Sequence, residues 1–256
     1  SNPIAELRQN GGDTLNKILN IAHRGFSGIY PENTMLAFEK AVEVQCNGIE
    51  TDVQLTKDGV AVICHDETLE RTTDGSGFIK NYTYLELSKL DAGMKKDHRF
   101  TGCRIPTLDE FLDYIKDKNM LINLELKNSI IQYENIEEVV IDKVYKHGIQ
   151  ANCIISSFNH YSMVKCKELD SSIKTGLLYD EILYHPEKYI EYVGADALHP
   201  NFQAVYSKEI VENIKSKNID INVYTVNEEE DMMNMISLGV DGIITNYPDK
   251  LKKILL

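Results

Sequence analysis

Along the chain, short apolar runs alternate with longer segments whose apolar positions recur every three or four residues. Strand-like runs fall at 18–23 (ILNIAH), 48–53 (GIETDV), 60–65 (VAVICH), 120–126 (MLINLEL), 153–157 (CIISS), 174–178 (KTGLL), 195–199 (ADALH), 220–226 (DINVYTV) and 240–245 (VDGIIT). Helix-like runs lie near 34–45, 107–118, 134–147, 159–169, 180–192, 207–217, 228–238 and 248–255. The clearest is 107–118, where Leu108, Phe111, Leu112 and Ile115 stand at i, i+3, i+4 and i+7. Thr107 and Glu110, just after Pro106, form a capping-box pattern at its start. Strands that alternate with helices pair in parallel, with the helices outside.

Nine strand-like runs are one too many for an eightfold barrel, and the stretch GIETDVQLTKDGVAVICHD (48–66) accounts for the surplus. Only LTKDG separates the second run from the third, too short for a parallel crossover of about a dozen residues or more. Lys57, Asp58 and Gly59 read as a hairpin turn, so the third run returns antiparallel beside the second. A turn centred on Lys57 and Asp58 places His65 opposite Glu50. Eight strands and eight helices remain, which is (β/α)8 arithmetic. The predicted fold is α/β, a (β/α)8 TIM barrel with a hairpin-plus-loop insertion after the second barrel strand. The chain, 1–256, is expected to form one domain, with 54–106 as the inserted hairpin and cap segment. Residues 66–106 show little periodicity, and so long an excursion is commonly functional.

Composition narrows the partners. A chain of 256 residues with 43% hydrophobic content can bury a large core. Its formal net charge of −13 repels nucleic acids and anionic membrane surfaces, while a locally positive site can still take a small anion. No apolar run reaches the length of about 18 residues that a spanning helix needs. The amino-terminal SNPIAELRQNGGD lacks the charged and apolar regions of a signal peptide. Five scattered cysteines without a CxxC pair speak against a disulfide framework or a zinc cluster, and fit a reduced, cytoplasmic setting.

The chemistry gathers at predicted strand ends. Glu50 and Asp52, two apart on one strand, share a face about 6.6 Å apart along the backbone. In LINLELK, the polar Asn123, Glu125 and Lys127 alternate with Leu124 and Leu126 on the neighbouring barrel strand. Glu50, Asp52 and Glu125 would then converge, each pair repelling by roughly 3 kcal/mol at about 5 Å and an effective dielectric near 20. Either their pKa values rise or a cation sits among them. Oxygen donors without cysteine suit Ca²⁺ or Mg²⁺. His23 and Arg24 fall where the first barrel strand ends, the end that carries active sites in such barrels. Arg24 can grip a phosphate with its planar fork. Asn33 is placed to cap the helix that follows. His23 and His65 can divide general acid and general base work. His199 and Tyr224, also near strand ends, are candidates to line the mouth, against the simpler alternative of packed structural residues.

These residues resemble the glycerophosphodiester phosphodiesterase family. The matching pieces are HRG at 23–25, PENT at 31–34, E-x-D at 50 and 52, LTKDG at 55–59, HD at 65–66 and RTTDGSG at 71–77. IPTL at 105–108, E-x-K at 125 and 127, SSF at 156–158, TVN at 225–227 and DGIITNYP at 241–248 follow in order. The resemblance implies one divalent cation, Ca²⁺ or Mg²⁺, on Glu50, Asp52 and Glu125, with His23 and His65 as the acid–base pair. It implies Arg24 on the phosphate and Lys127 stabilising charge there; His199 and Tyr224 are further substrate-binding candidates from their strand-end positions. The implied reaction is metal-dependent hydrolysis of sn-glycero-3-phosphodiesters to glycerol 3-phosphate and an alcohol. The implied partner is that small substrate, with no nucleic acid, no stable membrane insertion and a homodimer left open. Tyr224 departs from the family pattern, in which tryptophan often precedes TVN. Rival readings are a related barrel acting on lysophospholipid or sphingomyelin, and an inactive barrel used for binding. A zinc amidohydrolase would want an HxH strand motif, which this sequence lacks.

Overall fold

The computed structural model describes residue 4 and residues 18–256; apart from Ile4, the amino-terminal run lies outside them. In chain order the strands are β1 (Leu19–His23), β2 (Gly48–Leu55), β3 (Ala61–Ile63), β4 (Leu121–Leu126) and β5 (Cys153–Ser157). β6 (Lys174–Tyr179), β7 (Ala197–Pro200), β8 (Asp220–Val223) and β9 (Gly242–Thr245) follow. The helices are α1 (Met35–Val44), α2 (Tyr84–Leu87), α3 (Leu108–Ile115), α4 (Ile136–Lys146) and α5 (His160–Leu169). The last four are α6 (Pro186–Val193), α7 (Lys208–Lys215), α8 (Glu229–Leu238) and α9 (Pro248–Leu255).

The strand order is β1-β9-β8-β7-β6-β5-β4-β2, and β1 also pairs with β2, so eight parallel strands close into a TIM barrel. β3 joins β2, antiparallel, as the short LTKDG connection requires, and its Val62 bridges to Thr107 on the other side. The predicted helix at 180–192 begins later, because Pro186 is the first residue whose fixed φ and missing N–H suit a helix start. The predicted strand at 220–226 stops at Val223, and Tyr224 leaves the regular ladder at the barrel mouth.

Alternation along the strands writes the barrel interior. Leu19, Ile21, Leu121, Ile154 and Ile244 pack together inside, with Ile4. The next inward positions toward the carboxyl ends are polar: His23 after Ile21, Asn123 and Glu125 after Leu121, Ser156 after Ile154. The opposite faces, including Ala22, Ile49, Val53, Leu124, Leu126 and Ile155, bury against the helices. Phe111 of α3, behind the expected Thr107–Glu110 capping box, packs on Phe38 of α1 with ring centroids 4.5 Å apart. Both rings have no exposed surface. Phe111→Ala should therefore lower unfolding free energy by about 3–5 kcal/mol, read as a lower urea midpoint at unchanged slope. An unmoved midpoint would contradict this packing.

The hairpin corrects the expected register. Val53 pairs with Ile63, Gln54 with Val62 and Leu55 with Ala61, which sets His65 one place away from a position opposite Glu50. The turn holds three residues, Lys57, Asp58 and Gly59, between Thr56 and Val60, whose backbones bond at 3.0 Å. Gly59 sits at φ +78°, the left-handed position such a turn needs. Residues 66–106 also carry more order than their sequence pattern suggests. Leu69, Ile79, Leu87, Ala92 and Ile105 bury with Val62 and Cys64 in a separate small core over β3.

Candidate active site

The site is built along one edge of β2. The backbone carbonyl of Glu50 accepts from Arg24 N at 2.9 Å, so the end of β1 occupies the lower part of that edge. The carbonyl of Asp52, two residues on and facing the same edge, accepts from Cys64 N at 3.1 Å, where β3 leaves off. β2 thus outruns β1, and β3 takes the edge that β1 vacates. His23 and Arg24 meet Cys64 and His65 across Thr51. The one-residue register difference does not remove His65 from the site, because the chain has left the ladder after Ile63.

On the other edge, Glu50 is level with Asn123 and Asp52 with Glu125. One carboxylate oxygen from each of Glu50, Asp52 and Glu125 lies within 4.8 Å of the other two, and all three side chains are buried. Asp52 Oδ2 accepts from Asn33 Nδ2 at 2.9 Å. Asn33 Oδ1 in turn accepts from Thr51 at 2.7 Å, so Asn33 braces the cluster. The helix cap expected of Asn33 is made by Thr34, which accepts from Ala37 N. Glu50 Oε2 accepts from Arg24 N at 3.2 Å. Asp52 Oδ1 is buried without any hydrogen-bond partner.

Burial, then the neighbouring carboxylates, push Glu50 well above the usual carboxylate range. The same causes push Glu125 up to about 8. Burial also acts on Asp52, but Arg24, His65 and Lys127 outweigh it and hold its carboxyl well below the usual range. The cluster cannot carry three charges unaided, yet it offers hard oxygens around a shared point and an unpartnered Asp52 oxygen. These residues fit a divalent cation such as Ca²⁺ or Mg²⁺.

Cations and imidazoles surround the acids. Arg24 Nε is 3.6 Å from Asp52 Oδ2, and Lys127 Nζ is 3.5 Å from Glu125 Oε1. His23 Nδ1 is 2.6 Å from Asn246 Oδ1, and its Nε2 lies 3.8 Å from Glu50 Oε2. Burial, with Arg24 adding to it, lowers the His23 pKa to about 4, so the ring is neutral at neutral pH. His65 Nδ1 is 2.8 Å from Asp66 Oδ1, and its Nε2 is 3.4 Å from Lys127 Nζ. An ammonium can only donate, so Nε2 is the acceptor and the Nδ1–H tautomer satisfies both contacts. Arg71 holds the Asp66 carboxyl down to about 2.

A cavity of about 240 Å³ opens over this arrangement, lined on one side by His23, Arg24, Glu50, His65 and Glu125. Its other wall is Phe158, Leu178 and Tyr224, with Asp180 at the rim. Phe158 meets Tyr224 edge-on at 6.2 Å, and the Tyr224 hydroxyl lies 2.7 Å from Asp180 Oδ1. His199 does not reach this cavity: it has no exposed surface and sits behind Asn123 and Asn222, 3.4 and 3.1 Å from their amide nitrogens. A Cβ on Gly176 would meet its ring at 2.8 Å, so the strand face opposite His199 has to be bare. Glu32, Asp66 and Asn246 lie within motifs of the resemblance, yet sequence alone assigned them no role of their own, and Asp180 lies outside those motifs. Asn246 directly follows the GIIT strand, so its strand-end position was the available signal.

Carboxylates, cations and two imidazoles at the carboxyl mouth of a closed parallel barrel define a hydrolase of the TIM-barrel class. A profile described as the glycerophosphoryl diester phosphodiesterase family matches residues 23–250. The chain belongs to this family and is a phosphodiesterase. It is 46% identical over 235 residues to a glycerophosphodiester phosphodiesterase of Caldanaerobacter subterraneus, covering 92% of this chain and 96% of that protein. A second relative of the same description, from Bacillus altitudinis, is 42% identical, with 91% and 96% covered. Among solved structures, an Oleispira antarctica phosphodiesterase in complex with the product sn-glycerol-3-phosphate is similar at TM-score 0.82 and 33% identity, covering 91% of this chain and 94% of that one. The glycerophosphodiester phosphodiesterase of Thermotoga maritima is similar at TM-score 0.75 and 30% identity, with 92% and 98% covered. Among the described residues, no helix is long and apolar enough to cross a membrane.

Proposed function

We propose that this chain hydrolyses sn-glycero-3-phosphodiesters to glycerol 3-phosphate and an alcohol, with residues 54–106 as the cap of a single catalytic domain. The observation that carries the reading is the meeting of three buried carboxylates, Arg24, Lys127 and two histidines around one cavity. The solved Oleispira relative, with glycerol 3-phosphate in it, supports the same product here.

Glu50, Asp52 and Glu125 would hold the Ca²⁺ or Mg²⁺, which when bound neutralises their charge and polarises a non-bridging phosphate oxygen. Arg24 and Lys127 bind the phosphodiester anion and stabilise charge that gathers on its oxygens. His23 and His65 divide the proton transfers. One, with a free Nε2, takes a proton from the attacking oxygen, and the other, when it is an imidazolium carrying a proton on Nε2 as well as Nδ1, delivers that proton to the departing alkoxide. Their Nδ1 atoms are committed to Asn246 and Asp66, which fixes the rings so that Nε2 works. Phe158, Leu178 and Tyr224 exclude water from one arm of the diester. His199 acts on substrate only through Asn123, whose position it sets.

Incubating the purified protein with glycerophosphocholine and Mg²⁺ or Ca²⁺ should release glycerol 3-phosphate and choline in equal amounts. Release of glycerol and phosphocholine instead, or no turnover of any short glycerophosphodiester while long-chain lysolipids are cleaved, would reject this reading.

A further inference from the structure

Glu32 of PENT, Asp66 of HD and Arg71 of RTTDGSG stand outside the carboxylate cluster and the cations assigned to the phosphate. Their charged side chains meet. Arg71 Nε is 2.8 Å from Asp66 Oδ2, and its Nη2 is 3.0 Å from Asp66 Oδ1. The other side of the same guanidinium lies 2.9 Å from Glu32 Oε2 and 2.7 Å from Glu32 Oε1. Both carboxylates pass the contact on. Asp66 Oδ1 is also 2.8 Å from His65 Nδ1, and Glu32 Oε1 is also 2.9 Å from Arg24 Nη1.

We propose that Arg71 is a positioning residue that locks His65 and Arg24 into one arrangement through Asp66 and Glu32. The proposal rests on the roles given above to His65 and Arg24. Four chain segments are joined here: the end of β1, the approach to α1, the end of β3 and the inserted cap. Gln54 Nε2 donates to the backbone carbonyls of Cys64, His65 and Asp66, which holds the main chain after β3, while the His65 ring itself is met by Asp66 Oδ1 and Lys127 Nζ. A planar guanidinium can hold two carboxylates at a fixed angle, each by two bonds, and an ammonium cannot. The Arg71 side chain is about half exposed, at 49%, a setting in which an ion pair adds little to stability. The tie therefore acts on geometry more than on folding. Its removal leaves Asp66 free to rotate away from His65 Nδ1, and the ring free to change tautomer.

The test uses the full chain with saturating Mg²⁺ and glycerophosphocholine, comparing wild type with Arg71→Lys and Arg71→Met. Both variants should lose kcat, about tenfold for Arg71→Lys and about 30-fold for Arg71→Met, with KM within about threefold, since orientation rather than binding is lost. Added guanidinium should restore part of kcat to Arg71→Met. In protein labelled with ¹⁵N-histidine, the His65 signals, identified by their loss in His65→Ala, should report Nδ1–H in wild type and a mixture of tautomers in both Arg71 variants. Arg104→Ala removes another cap arginine, one that donates to Leu90 O at 3.0 Å, and should leave kcat and the His65 signals unchanged. The proposal is overturned by kcat within about twofold of wild type in both Arg71 variants, by a loss confined to KM, by unmoved His65 nitrogens, or by an equal loss in Arg104→Ala. Should Arg71→Met fail to fold, Arg71→Lys keeps the charge and carries the same readouts. Wild-type turnover in His65→Ala would instead reject the functional reading itself. An inactive His65→Ala beside unaffected Arg71 variants rejects only the tie.

Discussion

Stripping the protein of divalent cations is expected to abolish phosphodiester hydrolysis, and adding back Ca²⁺ or Mg²⁺ to restore it. The loss should be at least about 10³-fold, as several kcal/mol of charge stabilisation disappear. At separations under 4.8 Å, each pair of charged carboxylates costs roughly 3 kcal/mol at an effective dielectric near 20. The same repulsion would also turn away a phosphodiester anion. A second readout needs no turnover. Because Glu125 has a folded pKa raised to about 8, the metal-free protein holds the stability of its protonated form below the ordinary value of 4.5. That stability is lost as pH climbs through about 8, and Glu50, also raised, adds to the loss. Cation binding should flatten this decline and raise the melting temperature at pH 8. Glu125→Gln should abolish the cation-induced rise, while the metal-free variant is no less stable than metal-free wild type at that pH. Full activity in excess EDTA, with elemental analysis showing no bound metal, would remove the carboxylates from the mechanism.

His23→Ala and His65→Ala should each lower kcat by about 10²–10⁴-fold, the usual worth of a positioned acid or base. The two losses should separate by leaving group. When the departing alkoxide must be protonated, removing the acid is costly. With p-nitrophenolate, which departs without a proton, the same variant should regain most of its rate, while the variant lacking the base gains nothing. That comparison assigns the two roles, which the resting geometry leaves balanced: each ring has Nδ1 fixed by an oxygen and Nε2 beside the carboxylate cluster or Lys127. Unchanged turnover in either variant would exclude that histidine.

The barrel was legible because its strands are short apolar runs set between helix-like segments, and because LTKDG is too short to cross a sheet. Glu50, Asp52 and Glu125 were legible for a related reason: acids at period two in runs otherwise built for burial have to serve something. What the sequence concealed depended on chain geometry that local pattern does not encode. Whether the hairpin turn holds two residues or three follows from Gly59 taking a positive φ, and that alone shifted the register of His65. Asn33 looked like a cap because it precedes a helix, yet Thr34 makes the cap and Asn33 braces Asp52. His199 ends an apolar run as a mouth residue would, but its ring points at Asn123 and Asn222. The ties of Glu32, Asp66 and Arg71 cross up to 39 positions of chain, beyond any periodic signal.

The two imidazoles have different hosts. His23 ends a stave hydrogen-bonded on both sides, whereas His65 follows a short strand that lies between β2 and the backbone of Pro106 and Thr107, with Val62 in the small core of the inserted segment. One of the two rings proposed to move protons thus stands on the inserted segment and the other on the ring of staves. A shift of that segment would move one proton transfer and leave the acids of the barrel where they are.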